Sequence, residues 1–193
     1  MILLLGALFL TACSVPEKAG TASSADAVLS LYRTPELKAS VLEYFSRLTE
    51  NRAIAKTILA ECDRLNLPPS LAFSLAWNES KFNPLAFNRN PDSVDRGLFQ
   101  LNSKTFRLSR EAVYDLKTNT RHGLAFFKKI YDRTGNIADA LAYYNSGIAN
   151  AESPRLPAST KDYIQRILRD RQALDHGVMA WLFFSQQTML ASR

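Results

Sequence analysis

The sequence predicts a mainly α domain in which a short irregular or β segment flanks a cleft. Apolar residues recur at helical spacing from residue 37 to residue 77 and again from 115 to 168, as in amphipathic helices. Between these stretches, residues 83–103 are rich in Asn, Pro, Asp and Gly, which favours an irregular segment or a short hairpin. With 47% hydrophobic residues, a chain of 193 residues can bury the core of one compact domain.

The first three predicted helices begin at residues that commonly start helices. Thr34, Pro35 and Glu36 supply an N-cap, a first-turn proline and a first-turn acid. Asn51 begins the second helix, and the third follows Pro68-Pro69-Ser70. This third helix must end near residue 81, because a proline at position 84 disfavours helical geometry in the residue before it.

Further helices are predicted downstream, at 115–133, 137–144 and 160–174. Gly135 is placed to cap the first of them. We expect a loop from Asn145 to Ser159 and treat residues 176–193, outside the predicted domain of residues 26–175, as a tail with a possible docked helix. Trp181 and the three residues after it are consecutive and apolar, so packing against the domain is the favoured role of this tail.

The N-terminal residues resemble a bacterial lipoprotein signal. Residues 1–10 are almost wholly apolar but too few to span a bilayer as a helix, and Leu10-Thr11-Ala12-Cys13 resembles a lipobox. The resemblance implies a signal peptide over 1–12, lipidation of Cys13 and a polar tether over 13–25, although no Lys or Arg precedes the apolar run. It also implies a lipid-anchored protein on the periplasmic face of the cell envelope, with Ser14 favouring the outer membrane. The alternative is a buried N-terminal helix with an incidental cysteine.

Charge and composition narrow the classes of partner. The net charge of +6 suits an anionic partner, although charge alone favours a solvated basic surface with no partner. No run of basic and aromatic residues favours nucleic acid. The sequence contains no zinc-ligand pattern, Gly-rich phosphate loop or Ser-His-Asp order, so no metal or cofactor is expected. Without Cys13, Cys62 has no partner for an intrachain disulfide and is expected to be a small buried residue.

Glu79 stands out because a carboxylate in the last turn of a helix lies near the negative end of the helix dipole. Trp77 and Phe82 flank it, and burial against them would disfavour its charged form further. A carboxyl that keeps its proton near neutral pH is what a general acid requires. The same pattern fits a surface Glu that tolerates a dipole penalty of about 0.3–1 kcal/mol, so these local effects leave both interpretations open.

Five blocks around Glu79 occur in the order seen in a known family. In chain order they are ESKFNPLA, GLFQLN, the helical set Asn119, Gly123 and Phe127, then AYYNSG, and last the pair Thr160 and Tyr163. From about residue 65 to 168 the sequence resembles the lysozyme-like lytic transglycosylases of the soluble (SLT) type. The resemblance implies a lysozyme-like α+β fold, peptidoglycan glycan strands as substrate, and Glu79 as the catalytic acid and base.

The resemblance also implies a reaction without water. Lytic transglycosylases cleave the β-1,4 bond between N-acetylmuramic acid (MurNAc) and N-acetylglucosamine (GlcNAc), and the muramyl C6 hydroxyl closes on C1 to leave a 1,6-anhydro end. One carboxyl serves first as acid and then as base, so a second carboxylate is not required. Cell-wall or secretion machinery is the class of protein partner that such an enzyme implies.

Several polar residues are candidates for substrate binding on the same resemblance. Gln100 and Asn102 offer amide groups on the loop facing the acid, and Tyr144 is expected to hold Glu79 or the substrate through its hydroxyl. Asn145 is expected to fix the local loop or to bind the sugar, and Tyr163 to contribute a further hydroxyl. Gln100 and Asn102 could instead cap the loop, and Tyr144 could be a core residue with a satisfied hydroxyl.

A second resemblance overlaps the first. The segment from Glu79 to Ser103 is similar to the active-site segment of animal C-type lysozymes, and Asp95 falls where those enzymes carry a second carboxylate. A role in the cleft and a place in a solvated turn are both open for Asp95. Two alternatives to the transglycosylase therefore remain: a muramidase that uses Glu79 with Asp95, and a non-catalytic wall-binding lipoprotein.

Overall fold

The computed structural model describes residues 26–153 and 155–191, so the predicted signal peptide, the tether and Cys13 lie outside the described residues. The described helices are α1 (Ala27–Arg33), α2 (Pro35–Thr49), α3 (Arg52–Leu65), α4 (Pro69–Ser80), α5 (Arg110–Tyr114), α6 (Leu116–Thr134), α7 (Ile137–Ala151) and α8 (Ala158–Ala191). The described strands are β1 (Phe87–Arg89), β2 (Val94–Arg96) and β3 (Leu101–Asn102). The predicted mainly α fold class with a short β segment is confirmed.

The three strands form a small antiparallel sheet between α4 and α5. Its order is β1-β2-β3, so β1 is an edge strand. Asp95 at the centre of β2 faces Asn88 across one strand pair and Asn102 across the other. The expected hairpin is therefore present and is extended by a third strand.

Helix α4 is the centre of the hydrophobic core. Every residue from Pro69 to Ala76 is buried, and most of them are apolar or small, so the helix can be packed on all sides. It packs against α8 and α3, and the ring of Phe73 stacks on that of Phe45 from α2 with centroids 4.0 Å apart. A helix buried along most of its length places its last turn with little freedom, and that turn carries Glu79.

The C-terminal half of the chain differs from the sequence prediction. The expected loop from Asn145 to Ser159 is wrong over its first part, because α7 continues to Ala151 after a kink at Gly147. Gly147 has φ 75° and ψ 170°, a backbone conformation that glycine adopts without strain. The last predicted helix is also longer than residues 160–174, since α8 begins at Ala158 and runs unbroken to Ala191.

The stretch of α8 around Trp181 packs on α2. Val178 and Leu182 are buried, and the indole nitrogen of Trp181 donates to the backbone carbonyl of Ser40 at 3.2 Å. The guanidinium of Arg47 lies 5.0 Å from the Trp181 ring centroid. Residues 176–191 thus continue a domain helix, and within the described residues no helix has both the length and the apolar character needed to cross a membrane.

Candidate active site

The end of α4 presents Glu79 to a cleft. Helix α4 ends at Ser80. The next two residues, Lys81 and Phe82, have positive φ angles of 53° and 61° and do not continue the helix. The hydroxyl of Ser80 donates to the carbonyl of Leu98 at 2.8 Å, which ties the last turn of α4 to the 97–100 turn. Glu79 is therefore held between a rigid helix and a loop that is bonded to it.

Glu79 has a neutral hydrogen-bond donor and restricted access to solvent. The hydroxyl of Tyr163, on α8, donates to Glu79 Oε1. Burial raises the pKa of Glu79 to about 7; the Tyr163 hydrogen bond acts in the opposite direction, and the negative charge of Asp95 adds to the rise. Burial and the nearby Glu79 also hold the pKa of Tyr163 well above its usual value, so its hydroxyl keeps its proton and remains a donor.

The 97–100 turn is organised by the buried Asn119 of α6. Its side-chain oxygen accepts from the Phe99 N–H at 2.8 Å, and its amide nitrogen donates to the carbonyls of Arg96 and Val113 at 3.0 and 2.8 Å. A Cβ on Gly97, whose φ is +78°, would lie 2.2 Å from that amide nitrogen. Only glycine fits at position 97, because the close approach and the left-handed backbone both exclude a side chain.

Two residues of α7 hold neighbouring elements in place. The hydroxyl of Tyr144 donates to the carbonyl of Phe99 at 2.9 Å, and Asn145 Oδ1 accepts from the buried hydroxyl of Thr160 at 3.0 Å. The expectation that Tyr144 holds Glu79 by a hydrogen bond is therefore wrong, because Tyr163 supplies that bond and the Tyr144 hydroxyl is used by the turn. Asn145 instead anchors the first turn of α8, one turn before Tyr163.

Asp95 lies among side-chain amides on the sheet. Its Oδ1 accepts from Asn102 at 2.7 Å, and its Oδ2 accepts from Asn90 at 2.7 Å and from Asn88 at 3.5 Å. Asn102 also donates to the Ser93 hydroxyl and accepts from the N–H of residue 104. These contacts show that Asp95 and Asn102 form part of the internal bonding of the sheet as well as of the cleft wall.

A single cleft of about 900 Å³ collects most of the predicted site. Gln100, at φ 45°, enters it with its amide nitrogen donating to the Gly97 carbonyl at 2.9 Å. Tyr163 stands behind Glu79 and is only 5% exposed, so its contact is with the acid. The predicted site residues that line the cleft are Glu79, Asp95, Gln100, Asn102, Tyr144 and Asn145.

A family model for the transglycosylase SLT domain matches residues 56–166, more than half of the chain. The chain belongs to the SLT transglycosylase domain family. Among solved structures, an inactive mutant of lytic transglycosylase Slt from Pseudomonas aeruginosa is similar at 22% identity and a TM-score of 0.43. The match covers 70% of this chain and 24% of that one, so the chain spans about a quarter of the length of the solved protein. No curated protein sequence matches significantly.

Sequence reasoning missed part of the wall of this SLT domain cleft. Aromatic and polar side chains from the sheet, the loops next to it, α6 and α7 also line it: Phe87, Asn88, Asn90, Phe106, Phe126 and Tyr143. The polar run NRNPDS could have indicated the two asparagines. The aromatic residues carried no such signal, because Phe126 lies within the helical apolar pattern and Phe87 is in a strand of three residues.

The described part of the SLT domain contains no group of three or more His, Cys, Asp or Glu side chains that could hold a metal ion. The chemistry available from its own residues is that of one carboxyl whose pKa is raised to about 7, a second carboxyl group among amides, and a wall of amides and aromatic rings. This arrangement can deliver a proton to a bound sugar and then accept one back.

Proposed function

We propose that this SLT domain is a lytic transglycosylase that cleaves the β-1,4 bond between MurNAc and GlcNAc in peptidoglycan and leaves 1,6-anhydro-MurNAc ends. Family membership supports a peptidoglycan-cleaving enzyme as the class, and the cleft supports the finer assignment. The observation that carries it is the enclosed carboxyl of Glu79, whose pKa is raised to about 7 and which accepts a hydrogen bond from the neutral hydroxyl of Tyr163.

The proposed reaction uses Glu79 twice. Its proton goes to the glycosidic oxygen as the bond from that oxygen to muramyl C1 breaks, which leaves an oxocarbenium-like centre at C1. The carboxylate then takes the proton of the muramyl C6 hydroxyl, and the new bond from O6 to C1 closes the anhydro ring. The carboxyl ends with its proton restored, and water is not consumed.

The remaining cleft residues are proposed to position the sugars and the acid. The amide of Gln100 is offered to hydroxyl and acetamido groups of the glycan, and Asn102 belongs to the amide layer that surrounds Asp95. Tyr144 holds the 97–100 turn, Asn145 holds α8, and Tyr163 orients Glu79. Tyr144 and Asn145 thus act by holding other segments of the chain in place, whereas Tyr163 acts directly on Glu79.

A muramidase that hydrolyses the same bond is the second candidate, and the presence of Asp95 in the same cleft favours it. An ionised carboxylate has about four lone-pair sites, so it can accept several hydrogen bonds and still face a sugar. Both oxygens of Asp95 already accept hydrogen bonds from asparagine amides. These bonds therefore do not separate the two candidates, and the SLT transglycosylase family match is what favours the transglycosylase.

The test is mass spectrometry of peptidoglycan digested by the purified protein. Anhydro-muropeptides are expected; reducing ends would support the muramidase, and no cleavage by folded protein would support a non-catalytic wall-binding protein. Glu79→Gln should lower turnover about 100- to 10,000-fold while preserving the fold. Glu50→Gln, at an exposed position that ends α2, is the matched control and should retain full activity.

We also propose that Cys13 is lipidated and anchors the domain at the periplasmic face of the cell envelope, at the outer membrane. Support comes from the lipobox-like Leu10-Thr11-Ala12-Cys13 alone. In a Gram-negative host, the wild-type chain should incorporate labelled palmitate and appear in the outer-membrane fraction. Cys13→Ser should lose both properties, and label retained by this variant would contradict the proposal.

A further inference from the structure

Phe87 and Arg96 lie directly opposite each other on β1 and β2. Side chains alternate between the two faces of a strand, so this pair shares the face opposite to that of Asn88, Asp95 and Asn102. The latter face belongs to the cleft, yet Phe87, on the edge strand and 51% exposed, lines the cleft as well. Phe87 thus connects the cleft to the back of the sheet around an open edge.

A second concave site lies behind that edge. It has a volume of about 440 Å³ and is lined by Phe87, Arg96, Arg110 and Tyr114. The Arg96 guanidinium lies 5.8 Å from the Phe87 ring centroid. Two cations and two aromatic rings therefore share one small pocket that adjoins the cleft, which we call the arginine pocket.

Neither guanidinium in the arginine pocket is paired with a carboxylate. In the described part of the chain, no ion pair and no side-chain hydrogen bond uses the side chain of Arg96 or Arg110. Glu111, the neighbour of Arg110 in sequence, is fully exposed, and the charge of Arg110 is the weakest of the influences that lower its pKa. Other surface arginines do find carboxylates, as Arg33 does with Asp63 at 2.7 Å. Two neighbouring like charges without a paired counter-charge repel each other, and a bound anion would relieve that repulsion.

We propose that the arginine pocket binds free carboxylates of the peptide stems carried by the glycan strand in the cleft. This proposal rests on the proposed function, and it adds that the enzyme recognises stem-bearing strands. A guanidinium offers a planar pair of donors that matches a carboxylate in a bidentate arrangement. The rings of Phe87 and Tyr114 provide apolar contact for the aliphatic parts of the stem. A stem attached to a muramyl residue in the cleft crosses the edge strand at Phe87 to reach both arginines.

The experiment compares two substrates made from the same glycan. One is intact peptidoglycan, and the other is the same material after an amidase has removed the stems. The double variant Arg96→Gln with Arg110→Gln should raise KM for intact strands about tenfold with kcat little changed, because binding that is equal in ground and transition states acts on KM. On stem-free strands the variant and the wild type should behave alike.

A matched control removes two arginine charges elsewhere on the same domain. The double variant Arg52→Gln with Arg169→Gln alters exposed positions on α3 and α8 and should leave both KM values unchanged. An equal change on both substrates, no change on either, or the same change in the control would overturn the proposal. Cleavage of neither substrate by wild type would refute the proposed function instead.

The pocket can also be tested without turnover. In the Glu79→Gln background, a GlcNAc-MurNAc-tetrapeptide should bind more tightly than the bare disaccharide, and the arginine double variant should abolish the difference. Equal binding of the two ligands before the arginines are changed would overturn the proposal.

Discussion

Tyr163 on α8 donates its hydroxyl to Glu79 at the end of α4, joining two residues that are 84 positions apart in the chain. Tyr163 is buried and keeps its proton, so it orients the carboxyl through a neutral hydrogen bond. It does not place a positive charge beside the carboxyl. An arginine or lysine in its place would lower the pKa of Glu79 and remove the acid at neutral pH. The tyrosine is thus compatible with a proton donor in a way that a charged partner is not.

Tyr163→Phe should shift the alkaline limb of the pH–rate profile upwards by about one unit. The Tyr163 hydrogen bond lowers the pKa of Glu79, so its loss raises that pKa above 7, and the acid keeps its proton to higher pH. The rate at pH 6 should fall roughly ten- to hundredfold, because a hydrogen bond to a charged group contributes about 1.5–3 kcal/mol. Tyr131→Phe, away from the cleft, should leave the profile unmoved, and a downward shift in Tyr163→Phe would contradict the assignment.

Glu79→Gln should make the protein more stable than wild type at pH 8 but not at pH 4. In the unfolded chain the carboxyl loses its proton near pH 4.5, whereas in the fold it keeps the proton up to about pH 7. Rising pH therefore favours the unfolded wild type across this window, by at most about 3 kcal/mol, and the Gln variant lacks this penalty. Urea unfolding at several pH values measures the difference, and wild-type and variant curves that stay parallel would show that the carboxyl is not perturbed.

Asp95→Asn should lower activity about tenfold and leave the products as anhydro-muropeptides. An asparagine there puts an N–H₂ against the donors of Asn88, Asn90 or Asn102, which loosens the sheet without removing Glu79. The product profile decides whether Asp95 is a second catalytic carboxylate. If reducing ends were the wild-type product and this variant lost them entirely, Asp95 would be a second catalytic carboxylate.

Asn119→Ala should destabilise the protein by roughly 2–4 kcal/mol and abolish most activity. It leaves the buried N–H of Phe99 without an acceptor and two carbonyls without their donor, and the 97–100 turn depends on these bonds. Thermal unfolding and turnover should both respond, whereas Lys117→Ala, on an exposed face of α6, should change neither. A stable Asn119→Ala variant with full activity would show that the turn is held by other contacts.

Local patterns were enough to predict the helices whose ends carry strong signals. Asn51 caps α3 through its side chain, and Gly135 ends α6 in a left-handed conformation, as their residue types indicate. The prediction failed between Asn145 and Ser159, where Gly147 produces a kink inside α7 and no local signal separates a kink from an end. It also ended the last helix at residue 174, before the stretch of α8 around Trp181 that packs on α2.

In the candidate site, too, local sequence signals predicted some features and helix packing decided others. Glu79 was recognisable as the candidate acid because the residue blocks near it carry particular side chains at close spacing. Which tyrosine bonds Glu79 was not predictable, since Tyr144 and Tyr163 lie on different helices and the packing of α7 and α8 decides which hydroxyl reaches the acid.

By itself, the sequence determined the mainly helical fold and the family and singled out Glu79 as the candidate acid, because helix periodicity, capping and motif order are local properties of the chain. Only the tertiary structure decided the raised pKa of Glu79, the bonds on Asp95 and the pairing of Phe87 with Arg96. Those properties depend on burial, on distances across the fold and on strand register, all of which arise when segments far apart in the chain pack together.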